Sequence, residues 1–162
     1  MVTVVQEQDF SKPIIRRKAL SASNAATLAT RVDFGEYGQF TFDEPSAHGG
    51  SDLGPSPLQG VLGALCACES VTFGRTAEEM SFAYSGIEFD AAFTIDIRGR
   101  QGARGVVPHF QSVKVEATVT TDETEARLRS VVEETETRCP VFNLIKDAGV
   151  RIDMVWIRRA AS

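Results

Sequence analysis

The sequence predicts an α+β fold, and three features carry that prediction. A strongly apolar stretch at helical spacing follows Pro57. Residues 87–97 and 113–119 alternate apolar and polar side chains with a period of two. Two consecutive helix signals, at Asp122 and at Cys139, then precede a last alternating segment at 150–156. Strands, a long helix, two strands, two helices and a final strand make an α+β order.

Residues 1–23 show weak periodicity and are assigned to an N-terminal arm, with 24–162 as a single domain. Residues 24–33 (NAATLATRVD) fit one strand. Gly35 and Gly38 bracket a hairpin that leads into a short strand at 39–42. Residues 43–57 (DEPSAHGGSDLGPSP) hold three prolines and three glycines in 15 positions and form a loop. Pro57 suits the first turn of a helix, where its missing N–H costs nothing. From there Leu58, Val61, Leu62, Leu65, Cys68, Val71 and Phe73 give a broad apolar surface, with Gln59, Glu69, Ser70 and Thr72 as the main polar positions. A helix this apolar is expected to be central and buried. It runs on toward Met80, with Gly74 as a weak point.

In residues 87–97, Ile87, Phe89, Ala91, Phe93, Ile95 and Ile97 alternate with polar residues, the pattern of a half-buried strand. Residues 98–108 are a glycine- and arginine-rich connection, and Val113, Val115, Ala117 and Val119 mark the partner strand. Asp122 and Glu125 are spaced as a capping box that opens a helix to about Thr137. Cys139 stands at the N-cap of a second helix, with Pro140 in its first turn and Gly149 as its stop. Val150, Ile152, Met154 and Trp156 alternate in the last strand.

Composition narrows the function classes. A length of 162 residues suits one domain with a sizeable core, and 43% hydrophobic with 24% charged residues is an ordinary globular balance. The net charge of −5 argues against a nucleic-acid partner, and Arg16-Arg17-Lys18 is the only basic cluster. No apolar run approaches the ~20 residues of a membrane span. The N-terminus lacks a basic segment followed by an apolar core, so the expected location is the cytoplasm.

The three cysteines are Cys66, Cys68 and Cys139, an odd number that does not suit a secreted disulfide framework. Their plainest reading is as small buried hydrophobes. Cys66 and Cys68 lie roughly 200° apart around a helix and so face different ways. C-x-C alone is a poor zinc pattern, and His48 and His109 read as surface residues, so neither a metal nor a cofactor is expected. Cys139 carries its own argument: a thiol at a helix N-cap meets free N–H groups and the positive dipole end, which favour thiolate, and Arg138 is its neighbour. Glu78, Glu79, Glu133, Glu134 and Glu136 read as solvated helix faces, and Arg98, Arg100 and Arg104 as solvated loop charge.

The segment DEPSAHGGSDLGPSPLQGVLGALCAC resembles the signature of the OsmC/Ohr family: a glycine pair, then G-P-x-P, then an apolar helix ending in a cysteine. GIEFDAAFTIDIRG, the strand at 110–119, RCPVFNLIKDAGV and the final strand follow the family's order, so the resemblance spans roughly residues 34–156. It implies an OsmC-like intertwined homodimer in which antiparallel sheets wrap two central helices. It places the active cysteine 11 residues after the helix-opening proline, at Cys68, and the second cysteine before a proline, at Cys139. In the peroxidase members, the first thiolate attacks an organic hydroperoxide and becomes a sulfenic acid. The second thiol closes a disulfide, which a lipoyl-type dithiol reduces, and an arginine held by a glutamate supports the thiolate. Leu58 stands where that glutamate belongs, with Gln59 next to it. Glu36 stands about where the arginine belongs, and Arg31 is the nearest arginine in that strand. These departures bring the chain closer to a less characterised OsmC-like branch than to the strict hydroperoxide-resistance enzymes.

The expected function is a thiol-dependent peroxidase acting on organic hydroperoxides, with Cys68 attacking, Cys139 resolving, Arg31 supporting the thiolate and Gln59 orienting the substrate. The alternative is a non-catalytic dimeric binding protein for a small apolar or thiol-reactive ligand.

Overall fold

The computed structural model of the protein describes residues 10–161. The chain divides into two compact units at the Ser56–Pro57 junction.

The first unit is an antiparallel meander of three short strands, β1 (Ser21–Asn24), β2 (Thr30–Asp33) and β3 (Gln39–Phe42). The single strand expected at 24–33 is therefore broken. The Asn24 side-chain amide donates to the carbonyls of Thr27 (2.6 Å) and Ala29 (2.8 Å), and Ala26 adopts φ +60°. A side chain that bonds nearby backbone competes with the ladder and turns the chain. As a result β1 falls mostly within the stretch assigned to the arm.

The second turn matches the hairpin reading. Asp33 accepts from the Gly35 N–H at 2.7 Å and from the Gln39 amide at 2.8 Å, and β3 starts at Gln39. Beyond β3, the buried Asp43 carboxylate organises the loop by accepting N–H bonds from Glu44 (2.8 Å), Ser51 (2.9 Å) and Leu53 (3.2 Å). Burial pushes its pKa up, but these three donors outweigh burial and hold it below the usual carboxylate value. Two glycines of the motif have a steric reason. A Cβ on Gly50 would lie 1.7 Å from the Glu44 carbonyl oxygen, and one on Gly54 would lie 2.0 Å from that of Thr41.

The second unit begins with α1 (Pro57–Glu79), 23 residues that run through Gly74 without a break. Ser81, at φ +52°, ends the helical stretch, and Arg127 donates to the carbonyls of Met80 (3.1 Å) and Ser81 (2.8 Å). The next strand, β4, spans Gly86–Ile95 and stops short of Ile97. Asp96 instead caps a short helix, α2 (Ile97–Arg100), by accepting from the Arg98 N–H at 3.0 Å. β5 spans Phe110–Thr120 and is followed by α3 (Glu125–Arg138), α4 (Pro140–Asp147) and β6 (Arg151–Arg159). The cap of α3 is Thr124, whose Oγ1 accepts from the Arg127 N–H at 3.3 Å. Asp122 accepts instead from the Ala161 N–H at 3.2 Å, outside the expected capping box.

The second sheet has the order β4-β5-β6. β4 and β5 pair antiparallel, whereas β5 and β6 run parallel. A parallel neighbour needs a crossover, which α3 and α4 provide. The register shifts between Thr94 and Ile95, so that Ile95 pairs with Phe110 and Gln111 is skipped. That extra residue puts Phe110 on the same buried side as Val113, Val115, Ala117 and Val119, stacked on Phe93 at 4.5 Å.

Two buried clusters hold this unit together. One joins Leu62 and Leu65 of α1 to Phe110, Val113, Val115, Cys139, Phe142 and Ile145; the other joins Phe73 and Ala77 to Phe82, Val119, Leu128 and Val131. Within one chain, α1 buries a single face: Leu62, Leu65, Glu69, Phe73, Thr76 and Ala77. The opposite face stays open, with Val61 43% and Val71 54% exposed, so burial all round is not reached. Leu65 is fully buried, and Leu65→Ala is expected to cost about 3 kcal/mol through lost contacts and a cavity, read as a lower urea midpoint at unchanged slope.

Candidate functional site: two thiols and a buried carboxyl

Cys68 lies in the fourth turn of α1, half-buried against the first cluster. Cys139 lies inside that cluster, fully buried, at the junction of α3 and α4. Packing of α1 on that junction closes a separation of 71 residues and brings the Cys139 thiol beside Cys68 and Glu69. All three cysteines are free thiols. Cys66 is half-buried, and burial pushes its pKa up.

The expectation that Cys139 is an acidic N-cap thiol is overturned. It does occupy the N-cap of α4, but its side chain makes no capping hydrogen bond. Burial drives its pKa up to about 12. The Phe142 N–H pulls the other way, and contact with Cys68 and with the Glu69 carboxyl raises it further. Arg138 gives no help, because its guanidinium pairs with Glu79 and Glu134. Desolvation and a neighbouring acid outweigh the dipole of one eight-residue helix.

Glu69 is a buried carboxyl that the sequence pattern alone did not single out as a site residue. It is fully buried, and neither carboxyl oxygen has a hydrogen-bond partner of full geometry; Cys139 offers only a weak sulfur contact. Burial raises its pKa to about 7, the Cys139 contact lowers it, and the charge of Glu136 raises it again. Glu136 is half-buried on α3, where its Oε1 accepts from the Trp156 indole N–H at 3.0 Å. Its own pKa is raised by burial against the pull of Trp156 and Lys146. The sequence did carry a signal: Glu69 continues the spacing of Leu62, Leu65, Phe73 and Thr76, the stripe that turns inward.

The other two candidates do not join this group within the second unit. Gln59 is exposed in the first turn of α1, roughly 14 Å from Cys68 along the axis and on the opposite side of the helix. Arg31 is exposed in β2 of the first unit, between Ser23 of β1 and Thr41 of β3. An apolar cleft of about 300 Å³ is lined by Leu58, Val61, Phe110, Leu144 and Ile145; no cysteine lines it, but Phe110 and Ile145 also belong to the core around Cys139. A larger cleft of about 420 Å³, at Tyr84, Thr121 and Asp122, holds no cysteine. Among the described residues, no cluster of His, Cys, Asp and Glu is arranged to hold a metal ion, and no helix is long and apolar enough to cross a membrane.

A fold of this order, with Cys68 on the long helix and Cys139 before a helix-opening proline, defines an OsmC-like class. The family model for OsmC-like proteins matches residues 49–155, and the chain belongs to that family. Solved structures agree in fold. The OsmC-like protein of Mycoplasma pneumoniae superposes with a TM-score of 0.74 at 14% identity, covering 92% of this chain and all of that one. An organic hydroperoxide resistance protein from Elizabethkingia anophelis gives 0.70 at 14% identity, over 91% of this chain and 100% of its own. An organic hydroperoxide resistance protein from Legionella pneumophila gives 0.63 at 12%, over 90% and 99%. No curated protein matches the chain by sequence.

The raised pKa of Glu69 has a consequence for stability. Its folded value, about 7, lies above the ordinary 4.5, so the folded state holds a proton that the unfolded state releases. The stabilisation is complete below pH 4.5, falls as pH rises to about 7, and falls no further above that; its size is of order 3 kcal/mol. Urea unfolding of wild type and Glu69→Gln at pH 5 and pH 8 tests this, since the variant should lose that part of the pH dependence.

Proposed function

We propose that the protein is a cytoplasmic, thiol-dependent peroxidase that reduces organic hydroperoxides. The supporting observation is the contact between Cys68 and Cys139, two thiols far apart in sequence held in one apolar pocket. The Cys68 sulfur attacks the terminal peroxide oxygen; the O–O bond breaks, and the alkoxide leaves as an alcohol once it gains the thiol proton. Cys68 is then a sulfenic acid, which must meet a second thiol before further oxidation. Cys139 attacks it, the S–O bond breaks, and a Cys68–Cys139 disulfide forms with loss of water. A dithiol of the lipoyl type reduces that disulfide. Being the more exposed of the two, Cys68 is the thiol a substrate reaches first. The apolar cleft suits a lipophilic hydroperoxide.

The solved hydroperoxide-resistance relatives favour a peroxide-related role at the level of fold. A second reading, a non-catalytic binding protein for a small apolar ligand, is favoured by Leu58 standing where peroxidase members carry glutamate. Peroxide consumption separates the two. Reduced protein with cumene hydroperoxide and dihydrolipoamide should turn over. Cys68→Ser should abolish turnover, and Cys139→Ser should reduce one equivalent of peroxide and then accumulate over-oxidised Cys68. Unchanged peroxide in the wild-type reaction would leave the binding reading standing.

The open face of α1 supports a homodimer built on paired central helices. Val61 and Val71 are exposed on a face that carries the small residues Gly60, Gly63, Ala64 and Ala67 over its first turns, which suits close helix–helix approach there. Light scattering should give twice the 17.6 kDa chain mass, and Val71→Arg should shift the protein toward monomer.

A further inference from the structure

We propose that Glu69 is the general base that takes the Cys139 proton as Cys139 attacks oxidised Cys68, and the acid that returns it to the departing hydroxide. The inference rests on the peroxidase reading for its electrophile, and its proton step is measurable without peroxide.

Three observations carry it. Glu69 is fully buried, with both oxygens unpartnered, which is a costly arrangement for a purely structural carboxyl. Its carboxyl adjoins the Cys139 thiol, which in turn adjoins Cys68, so the base candidate stands beside the attacking sulfur. Cys139 also needs a base. Burial and the neighbouring Glu69 carboxyl raise its pKa, so the thiol holds its proton at neutral pH.

The titratable groups around the carboxyl come from each helix packed on it: Cys66 and Cys68 on α1, Glu136 on α3, and Cys139 at the start of α4. Lys146 of α4 acts on Glu136. The sheet turns apolar side chains to the adjoining core, among them Phe89, Phe93, Val113 and Val115. With no cation acting on it directly, Glu69 keeps a proton affinity suited to exchange near neutral pH.

The step balances. The Glu69 carboxylate removes the Cys139 S–H proton. The sulfur electron pair forms the S–S bond as the Cys68 S–O bond breaks, and hydroxide leaves with that pair. The Glu69 carboxyl then protonates it to water and is regenerated as carboxylate. The Cys68 sulfur is reduced from the sulfenic level while Cys139 is oxidised, with no net proton change.

The test isolates the base. In a Cys66→Ser background, Cys68 is loaded with thionitrobenzoate from the aryl disulfide dithiobis-nitrobenzoate. Closure by Cys139 then releases a second equivalent, followed by absorbance. In the reference protein the rate should rise with pH and level off as Glu69 ionises, near 7. With Glu69→Gln added, closure at pH 7 should slow ~100-fold and climb with pH without that plateau. Glu69→Asp, which keeps the acid one methylene farther back, should give an intermediate rate and keep the plateau. Closure of the Gln variant within about threefold of the reference, with the same plateau, would overturn the proposal. So would a loaded, folded reference protein that releases no second equivalent. A protein that closes this disulfide as expected yet consumes no hydroperoxide would sink the peroxidase reading while leaving Glu69 as the base.

Discussion

The chemistry of the second unit depends on one helix face. α1 turns Leu62, Leu65, Glu69, Phe73, Thr76 and Ala77 inward against two apolar clusters. Four of these positions are apolar and supply the contacts that seat the helix. Once it is seated, Cys68 and Glu69 are delivered to the α3–α4 junction, where Cys139 already lies in the core. A rotation of α1 by a quarter turn would keep much of the apolar contact and lose the meeting of the three groups. Leu65 on one side of Glu69 and Phe73 on the other, each fully buried, hold the helix against that rotation.

Desolvation then decides the electrostatics. The dipole of α4 and the Phe142 N–H both favour a Cys139 thiolate, yet burial and the adjacent carboxyl prevail and raise its pKa. Proton affinity has been moved from solvent into a small buried set of Glu69, Cys139 and Glu136. Cys139 is enclosed in the core, while Cys68 is only half-buried. The division of labour between two chemically identical side chains comes from their surroundings.

Much of the fold was readable because it rests on periodicity. The alternation of Ile87, Phe89 and Phe93 and of Val113 to Val119 marks strands whose apolar residues must face one side, and the helical spacing after Pro57 marks α1. The misreadings have local causes. Asn24 bonds backbone ahead of it and breaks an apparent strand; Asp96 caps a turn of helix where alternation seemed to continue to Ile97; and Thr124 takes the capping role assigned to Asp122. Each is a side-chain hydrogen bond of about a kcal/mol choosing between backbone paths of similar energy.

The sequence by itself determined the α+β order, the loop forced by prolines and glycines between β3 and α1, and the identity of the two thiols through their place before and after recognisable helix signals. Those properties follow from local rules acting over a few residues. Only in the folded packing does β6 come to run parallel to β5, does Glu69 lie buried beside Cys139 without a full hydrogen bond, and does burial raise the Cys139 pKa. Those outcomes depend on which groups are brought close and kept from water, and neither proximity nor desolvation is written in any short stretch of chain.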